Sequence, residues 1–307
     1  MKRSHSSTIK GVEELLVTRG YSDSKVELIK KKGRNNVVLK DVANDLFIKI
    51  YTDSETLINS IEAQKIIEKT VHVPNLIYYS EKKLGEFGYV SIWNLIKDTR
   101  ISKYVNPSNS DLKEISTAII KIHKTVDSTL FGPHFPIKQS GSSWDDYLVK
   151  WVIKSIEMST REIEEYKKTK VISHISTYLN VHKKKLQAVE NTLLQGDIDI
   201  SNFLFSKNRQ MVVTDLDYSI YGDPAWEFAS AMANWKFSAP CYKDMLEIYL
   251  KGRNFNEKQR KDFRSRVKFY GPIKKAVLIY SIKDISSLSA GEEMDLCFRE
   301  LNNIPYI

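Results

Sequence analysis

The densest run of residues able to do polar chemistry lies between positions 195 and 217. It reads Gln195-Gly196-Asp197-Ile198-Asp199-Ile200-Ser201-Asn202, then Phe203-Leu204-Phe205, a polar turn over 206–209, Gln210-Met211-Val212-Val213, and finally Thr214-Asp215-Leu216-Asp217. Two short apolar strands around a four-residue turn predict a hairpin. If Phe205 pairs near Gln210, Asn202 and Asp215 fall at the same open end, with Asp197 a few residues upstream on the preceding loop. An amide oxygen and carboxylates in that pattern suit Mg2+, which takes one or two carboxylates together with phosphate oxygens. The competing reading makes Asp197, Asn202, Asp215 and Asp223 turn and capping residues, positions that Asp and Asn favour. Asp223-Pro224 reads as a helix start, with Asp at the N-cap and Pro at the first helical position.

These groups need elements to hold them. Helical spacing of Val12, Leu15 and Leu16 over 11–19 precedes extended segments near 26–29, 36–39 and 46–51. In the last of these, Leu46, Ile48 and Ile50 share one side, and Phe47, Lys49 and Tyr51 share the other, which puts a charge in the middle of an apolar strand. A helix is predicted over 55–69, where Ile58, Glu62 and Ile66 fall at i, i+4 and i+8. A carboxylate buried on that stripe needs a partner, and Lys49 supplies one; in the alternative both side chains snorkel to solvent. Another extended stretch opens at Val73-Pro74, and 88–92 reads as a buried strand ending at Trp93-Asn94-Leu95-Ile96. Helical patterns dominate from Asp111 onward, over 112–123, 144–157, 160–168, 171–190 and 225–235. An α/β first third and a mainly helical remainder predict two lobes with a cleft between them. Their expected bounds are 1–93, a hinge at 94–98, and 99–307.

Composition removes several classes. The 307 residues carry 47 Lys+Arg against 38 Asp+Glu, a formal +9, with 42% hydrophobic and 28% charged residues, enough apolar mass for a core and too much for a disordered chain. The two cysteines, Cys241 and Cys297, make neither a disulfide framework nor a zinc site, so a reducing, cytoplasmic setting is expected. There is no apolar run of signal-peptide or membrane-helix type, and no membrane partner is expected. The positive residues are scattered in patches such as Lys30-Lys31-Lys32 and Lys183-Lys184-Lys185, which read as solvated faces and not as a nucleic-acid groove.

Three ordered motifs within 195–229 resemble those of the aminoglycoside phosphotransferase and choline kinase superfamily, small-molecule relatives of the protein kinases. The family's His-Gly-Asp-x-x-x-x-Asn is similar to the 195–202 segment, and its Ile-Asp-Trp-Glu-type motif to 214–217. Its Gly-Asp-Pro-x-x-Asp-Leu-Ala is similar to Gly222-Asp223-Pro224-Ala225-Trp226-Glu227-Phe228-Ala229. The resemblance implies an α+β, bilobal, protein-kinase-like fold: a small nucleotide-binding lobe with an antiparallel sheet and one key helix, and a larger helical lobe with the catalytic loop and substrate pocket. It implies that Asp197 orients and deprotonates an acceptor hydroxyl, while Asn202 and Asp215, with Asp217 assisting, hold Mg2+ against the phosphates of ATP or GTP. Lys49 would contact the α/β-phosphates, positioned by Glu62, and the backbone of Trp93, Asn94 and Leu95 would take the adenine edge. His123 reads as a packed, hydrogen-bonded core histidine.

Gly222-Asp223-Pro224 begins a helix only seven residues beyond Asp215, which leaves no room for the peptide-docking segment of a protein kinase. A small-molecule hydroxyl acceptor is therefore expected, such as an aminoglycoside-like antibiotic, an amino sugar or an amino alcohol, on a monomer or homodimer. Candidate substrate contacts are Asp199, Trp144, Glu292 and Glu293. Acidic residues suit a polycation, and Trp144 or Trp151 suits a quaternary ammonium; the alternative is a solvated helix surface and buried Trp anchors. Gln195 stands where the family has His, and an amide makes similar hydrogen bonds without titrating. Asp199 stands where protein kinases carry Lys, and a carboxylate there repels phosphate unless it turns elsewhere. Those departures, with the single Gly33 in the nucleotide-covering loop, motivate a second reading as a catalytically weak or dead kinase-like binding module.

Overall fold

The computed structural model describes residues 5–29, 36–84, 88–97, 107–125, 131–133, 143–157, 165–182, 186, 189–206, 208, 210–233 and 239–281. The chain divides into two units, one formed by 1–103 with 203–217 and the other by 104–202 with 218–307.

In the first unit, α1 (His5–Thr18) precedes β1 (Val26–Leu28), β2 (Val37–Asp41), β3 (Leu46–Tyr51), α2 (Ser54–Ile67), β4 (Leu76–Tyr79) and β5 (Tyr89–Asn94). The strands form one antiparallel sheet in the order β1-β2-β3-β5-β4. The alternation expected for residues 46–51 sorts the two faces. Leu46, Ile48 and Ile50 join Val12 and Leu16 of α1 in one apolar cluster, whereas Tyr51 packs with Leu57 and Ile61 of α2 and with Trp93. Asp53 caps α2 by accepting from the Thr56 N–H at 2.7 Å. The buried face of α2 carries Leu57, Asn59, Ser60, Ile61, Ala63, Gln64 and Ile67. It is therefore rotated from the Ile58-Glu62-Ile66 stripe that the spacing predicts, and those three residues are half-buried.

The predicted hairpin is present as β8 (Phe203–Phe205) and β9 (Met211–Val213), paired with Phe205 opposite Met211 and Phe203 opposite Val213. It is held to the first unit by the Val213 N–H, which donates to the His72 carbonyl at 2.8 Å.

The second unit contains α3 (Asn109–His123), β6 (Gly132–Pro133), α4 (Trp144–Glu157), α5 (Glu165–Val181), β7 (Thr192–Leu194), a short 3-10 turn (Ile200–Asn202), β10 (Ile220–Gly222), α6 (Pro224–Ala233), α7 (Ala239–Gly252) and α8 (Glu257–Ser281). A capping box opens α3: the Ser108 hydroxyl accepts from the Asp111 N–H, and the Asp111 carboxylate accepts from the Ser108 N–H. The antiparallel order β6-β10-β7 forms a small sheet. The core is rich in aromatics, with Trp226 edge-on to Trp144, Trp151 and Tyr270, and Tyr249 packed against Phe228 and Phe263. As expected, Asp223 precedes a helix that starts at Pro224, its Oδ1 accepting from the Ala225 N–H at 2.9 Å. Among the described residues, no helix is long and apolar enough to cross a membrane.

Candidate active site

Lys49 lies at the middle of β3 and is 7% exposed. Burying an ammonium is costly unless it is paired, and here two carboxylates pair it, Asp215 Oδ1 at 2.7 Å and Asp217 Oδ2 at 2.5 Å. Burial pulls the Lys49 ammonium down, but the surrounding negative groups outweigh it and hold the lysine above its ordinary range. The two aspartates differ in setting. Asp217 has a side chain only 4% exposed, whereas that of Asp215 is 38% exposed. Asp217 also accepts from Asn36 Nδ2 at 2.8 Å and from the Tyr51 hydroxyl at 3.3 Å, and α2 contributes the Ser60 side chain. Burial pushes the Asp217 carboxyl up to about 6, with Lys49 opposing and Asp215 adding to the rise. Asp215 sits at φ 59°, a left-handed conformation that Asp tolerates better than most residues.

Glu62 does not pair with Lys49. It accepts from Lys65 Nζ at 2.8 Å in an exposed i,i+3 pair. The rotation of α2 explains this, because Asn59 and Ser60 occupy the buried face and Asp217 supplies the buried counter-charge that Glu62 was expected to provide. At the end of β5, Trp93 is buried, and its indole N–H has no partner among the described residues. The amides of Asn94 and Leu95, expected to meet an adenine edge, donate to the carbonyls of Asn75 at 3.0 Å and Asp45 at 2.7 Å. Donation from either to a base requires those bonds to open.

The 195–202 loop belongs to the second unit and is braced from several sides. Gly196 has φ 92°, and a Cβ there would run into the Tyr218 carbonyl, so glycine is required on two counts. Its N–H donates to Glu227 Oε1 at 2.7 Å. The other oxygen of Glu227 lies 2.5 Å from His123 Nε2, and His123 Nδ1 lies 2.8 Å from the Tyr249 hydroxyl, a fully buried relay from α6 to α3 and α7. His123 is thus the packed, hydrogen-bonded core residue expected. Gln195 Oε1 accepts from the Asp197 N–H at 2.8 Å, so the amide performs the bracing that an imidazole would otherwise share. Asn202 Nδ2 donates to the Asp197 carbonyl at 2.9 Å and to Asp197 Oδ2 at 3.3 Å, which fixes both residues against each other.

Two candidate substrate contacts have side chains engaged within the second unit. Asp199 is 4% exposed, and its Oδ1 accepts from the Ser201 N–H at 2.9 Å and hydroxyl at 2.8 Å, a local turn that directs the carboxylate into the loop. Trp144 is 1% exposed, donates its indole N–H to the Tyr270 hydroxyl at 2.9 Å and stacks on Tyr147, so it anchors the core. Glu292 and Glu293 lie outside the described residues, as do Gly33 and Trp235. Residue type and spacing alone assign Glu227 no role. Its only signal was its place in the Gly222–Ala229 motif, where the family has Asp.

Among the described residues, no group of three or more His, Cys, Asp or Glu side chains is arranged to hold a metal ion. Asp215, in the first unit, has a half-exposed carboxylate, and Asn202, in the second, has a side-chain amide. Each offers an oxygen of the kind Mg2+ takes beside phosphate and water oxygens, and neither is a nitrogen or sulfur donor of the kind zinc favours.

The phosphotransferase enzyme family model, APH, matches residues 16–263. The solved aminoglycoside phosphotransferase APH(4)-Ia superposes with a TM-score of 0.70 at 13% identity, covering 96% of this chain and 99% of that one. The ADP-bound aminoglycoside phosphotransferase APH(2'')-Ib gives 0.63 at 15% identity over 95% and 97% of the two chains. The choline kinase LicA from Streptococcus pneumoniae gives 0.64 at 13% identity over 97% and 99%. At these identities the likeness is one of fold. No curated protein sequence matches the chain. Fold and family model together define a protein-kinase-like phosphotransferase with an alcohol group as acceptor. The chain belongs to the phosphotransferase enzyme family, APH.

Proposed function

We propose that this protein moves the γ-phosphate of ATP to a hydroxyl of a small molecule, an aminoglycoside-like compound, an amino sugar or an amino alcohol. The observation that carries the reading is the loop in which Gln195, Asn202 and, through Gly196, Glu227 hold Asp197. A carboxylate fixed in this way can accept the acceptor's O–H proton as the hydroxyl oxygen bonds to the γ-phosphorus and the bond to the nucleoside diphosphate breaks. Little covalent work falls to the protein in such a transfer, so positioning and charge neutralisation supply most of the acceleration. Lys49 answers the negative charge of the α- and β-phosphates, and Asp217, with its partners Asn36 and Tyr51, keeps its ammonium in place. Asn202 and Asp215 would hold Mg2+, which when bound neutralises charge on the phosphate oxygens. ATP is preferred to GTP because a solved relative of the same fold is ADP-bound. We place the protein in the cytoplasm on its cysteine usage.

The test is phosphate transfer from ATP across a panel of aminoglycosides, amino sugars, choline and ethanolamine. Transfer to at least one acceptor that vanishes on omission of Mg2+ supports the reading, and an inert panel with folded protein at millimolar ATP refutes it.

A further inference from the structure

Lys274, in the last third of α8, is 8% exposed, and among the described residues it makes no hydrogen bond and no ion pair. Its ammonium instead sits in a corner made by two indoles. Trp151 and Trp226 meet edge to face, with ring centroids 5.4 Å apart at 86°. Lys274 Nζ stands 3.9 Å from the Trp226 ring centroid and 5.2 Å from that of Trp151. An indole face attracts a cation, so this corner is the kind of surface that receives an alkylammonium group. Here the chain's own lysine already fills it.

Two further observations tie the corner to the loop described above. The charged groups that act on Lys274 are the carboxylates of Asp197 and Glu227, which places it on the same side of the unit as the proposed base. Burial pulls its ammonium down to about 7 even against the attraction of those two carboxylates. Buried ionisable groups without hydrogen-bond partners are rare in structural roles because folding gains nothing from desolvating them. The N–H donors of Lys274 are best matched by an oxygen that a bound molecule brings.

We propose that Lys274 is a specificity-determining residue of the acceptor site, filling the Trp151–Trp226 corner so that the acceptor meets this wall with a neutral or anionic oxygen, such as a hydroxyl neighbouring the reacting one, and not with an alkylammonium group. The inference rests on the reading of Asp197 as the base, and it narrows the acceptor. A sugar ring carrying vicinal hydroxyls satisfies it, as in an amino sugar or an aminoglycoside. Choline and ethanolamine, whose cationic nitrogen lies two carbons from the hydroxyl, would set that cation against Lys274 and are rejected.

The experiment has two arms. In the first, the full-length protein without nucleotide is titrated with tetramethylammonium while tryptophan fluorescence is followed. Lys274→Ala empties the corner and is expected to bind the probe at least about tenfold more tightly than wild type, while Lys274→Met, which fills the space without charge, is not. In the second arm, kcat/KM is compared for vicinal-diol amino sugars and for choline. Wild type favours the sugars, Lys274→Arg keeps that preference, and Lys274→Ala lowers the sugar-to-choline ratio by about tenfold or more. Tight tetramethylammonium binding by wild type, a wild-type preference for choline, or an unchanged ratio in folded Lys274→Ala overturns the proposal. Absence of transfer to every acceptor is failure of the phosphotransferase reading instead, and the nucleotide-free titration still decides who occupies the corner.

Discussion

Replacing Glu227 by alanine should both loosen the 195–202 loop and unfold the protein at lower temperature. The carboxylate is 1% exposed and serves two partners, the Gly196 N–H at 2.7 Å and His123 Nε2 at 2.5 Å. Truncation strands a buried backbone donor and a buried imidazole nitrogen, each costing about 1–3 kcal/mol, and leaves a void where the side chain stood. The sum is roughly 3–5 kcal/mol, in the range measured when one member of a buried polar network is removed. For a chain of this size that corresponds to a fall in melting temperature of about 5–8 °C. Glu227→Gln keeps an acceptor oxygen for Gly196 and can still bond His123, so it should lose less than half as much. Because the loop carries Asp197, kcat should fall in Glu227→Ala well before the KM for ATP changes. Scanning calorimetry and steady-state kinetics on the same preparations make the comparison. A Glu227→Ala protein that melts within about 2 °C of wild type and keeps its kcat would refute the loop-anchor argument.

Other perturbations follow from the same geometry. Trp144→Ala should cost about 3–5 kcal/mol, read as a large drop in denaturation midpoint, since the indole is fully buried and hydrogen-bonded to Tyr270. Glu62→Ala should change stability by no more than about 0.5 kcal/mol in chemical denaturation, as expected of an exposed i,i+3 pair. Burial, with Asp215 alongside, pushes the Asp217 carboxyl up to about 6 in the folded state, above the ordinary carboxylate range, so the folded state holds the proton more tightly. Its contribution is therefore full below about pH 4 and is lost as pH rises through about 6. The melting temperature of wild type relative to Asp217→Asn should fall across that window, and a flat difference would contradict the assignment.

Local pattern made much of the fold legible. The strand over 46–51 and the helix over 144–157 appear with the bounds the sequence predicts; the helix has one buried side that spacing sets, whereas the strand is packed on both faces and its alternation sorts the residues between them. The hairpin that separates Asn202 from Asp215 was readable from two apolar triplets around a polar turn. Choices among distant partners were not legible. Lys49 visibly needed a carboxylate, but spacing could not distinguish Glu62, thirteen residues away in sequence, from Asp217, far along the chain. A small rotation of α2 decided it by turning Ser60 inward and leaving Glu62 to Lys65. Asp199 shows the opposite case, since a Ser two residues after an Asp is a local turn signal strong enough to outweigh its alignment with a phosphate-facing position. Lys274 sits in a helix with many basic residues, and nothing in its neighbours along the chain separates it from those that face solvent.

The central claim is that Asp197 takes the acceptor's proton during phosphate transfer from ATP, and its most direct test is the single-turnover transfer rate of Asp197→Asn with the best acceptor of the panel. Asparagine preserves the size of the side chain and can keep the contact with Asn202, so the protein should stay folded and bind ATP as wild type does. The account predicts a transfer rate lower by about 10²–10⁴-fold with nucleotide affinity unchanged. Transfer at the wild-type rate in that variant would contradict it.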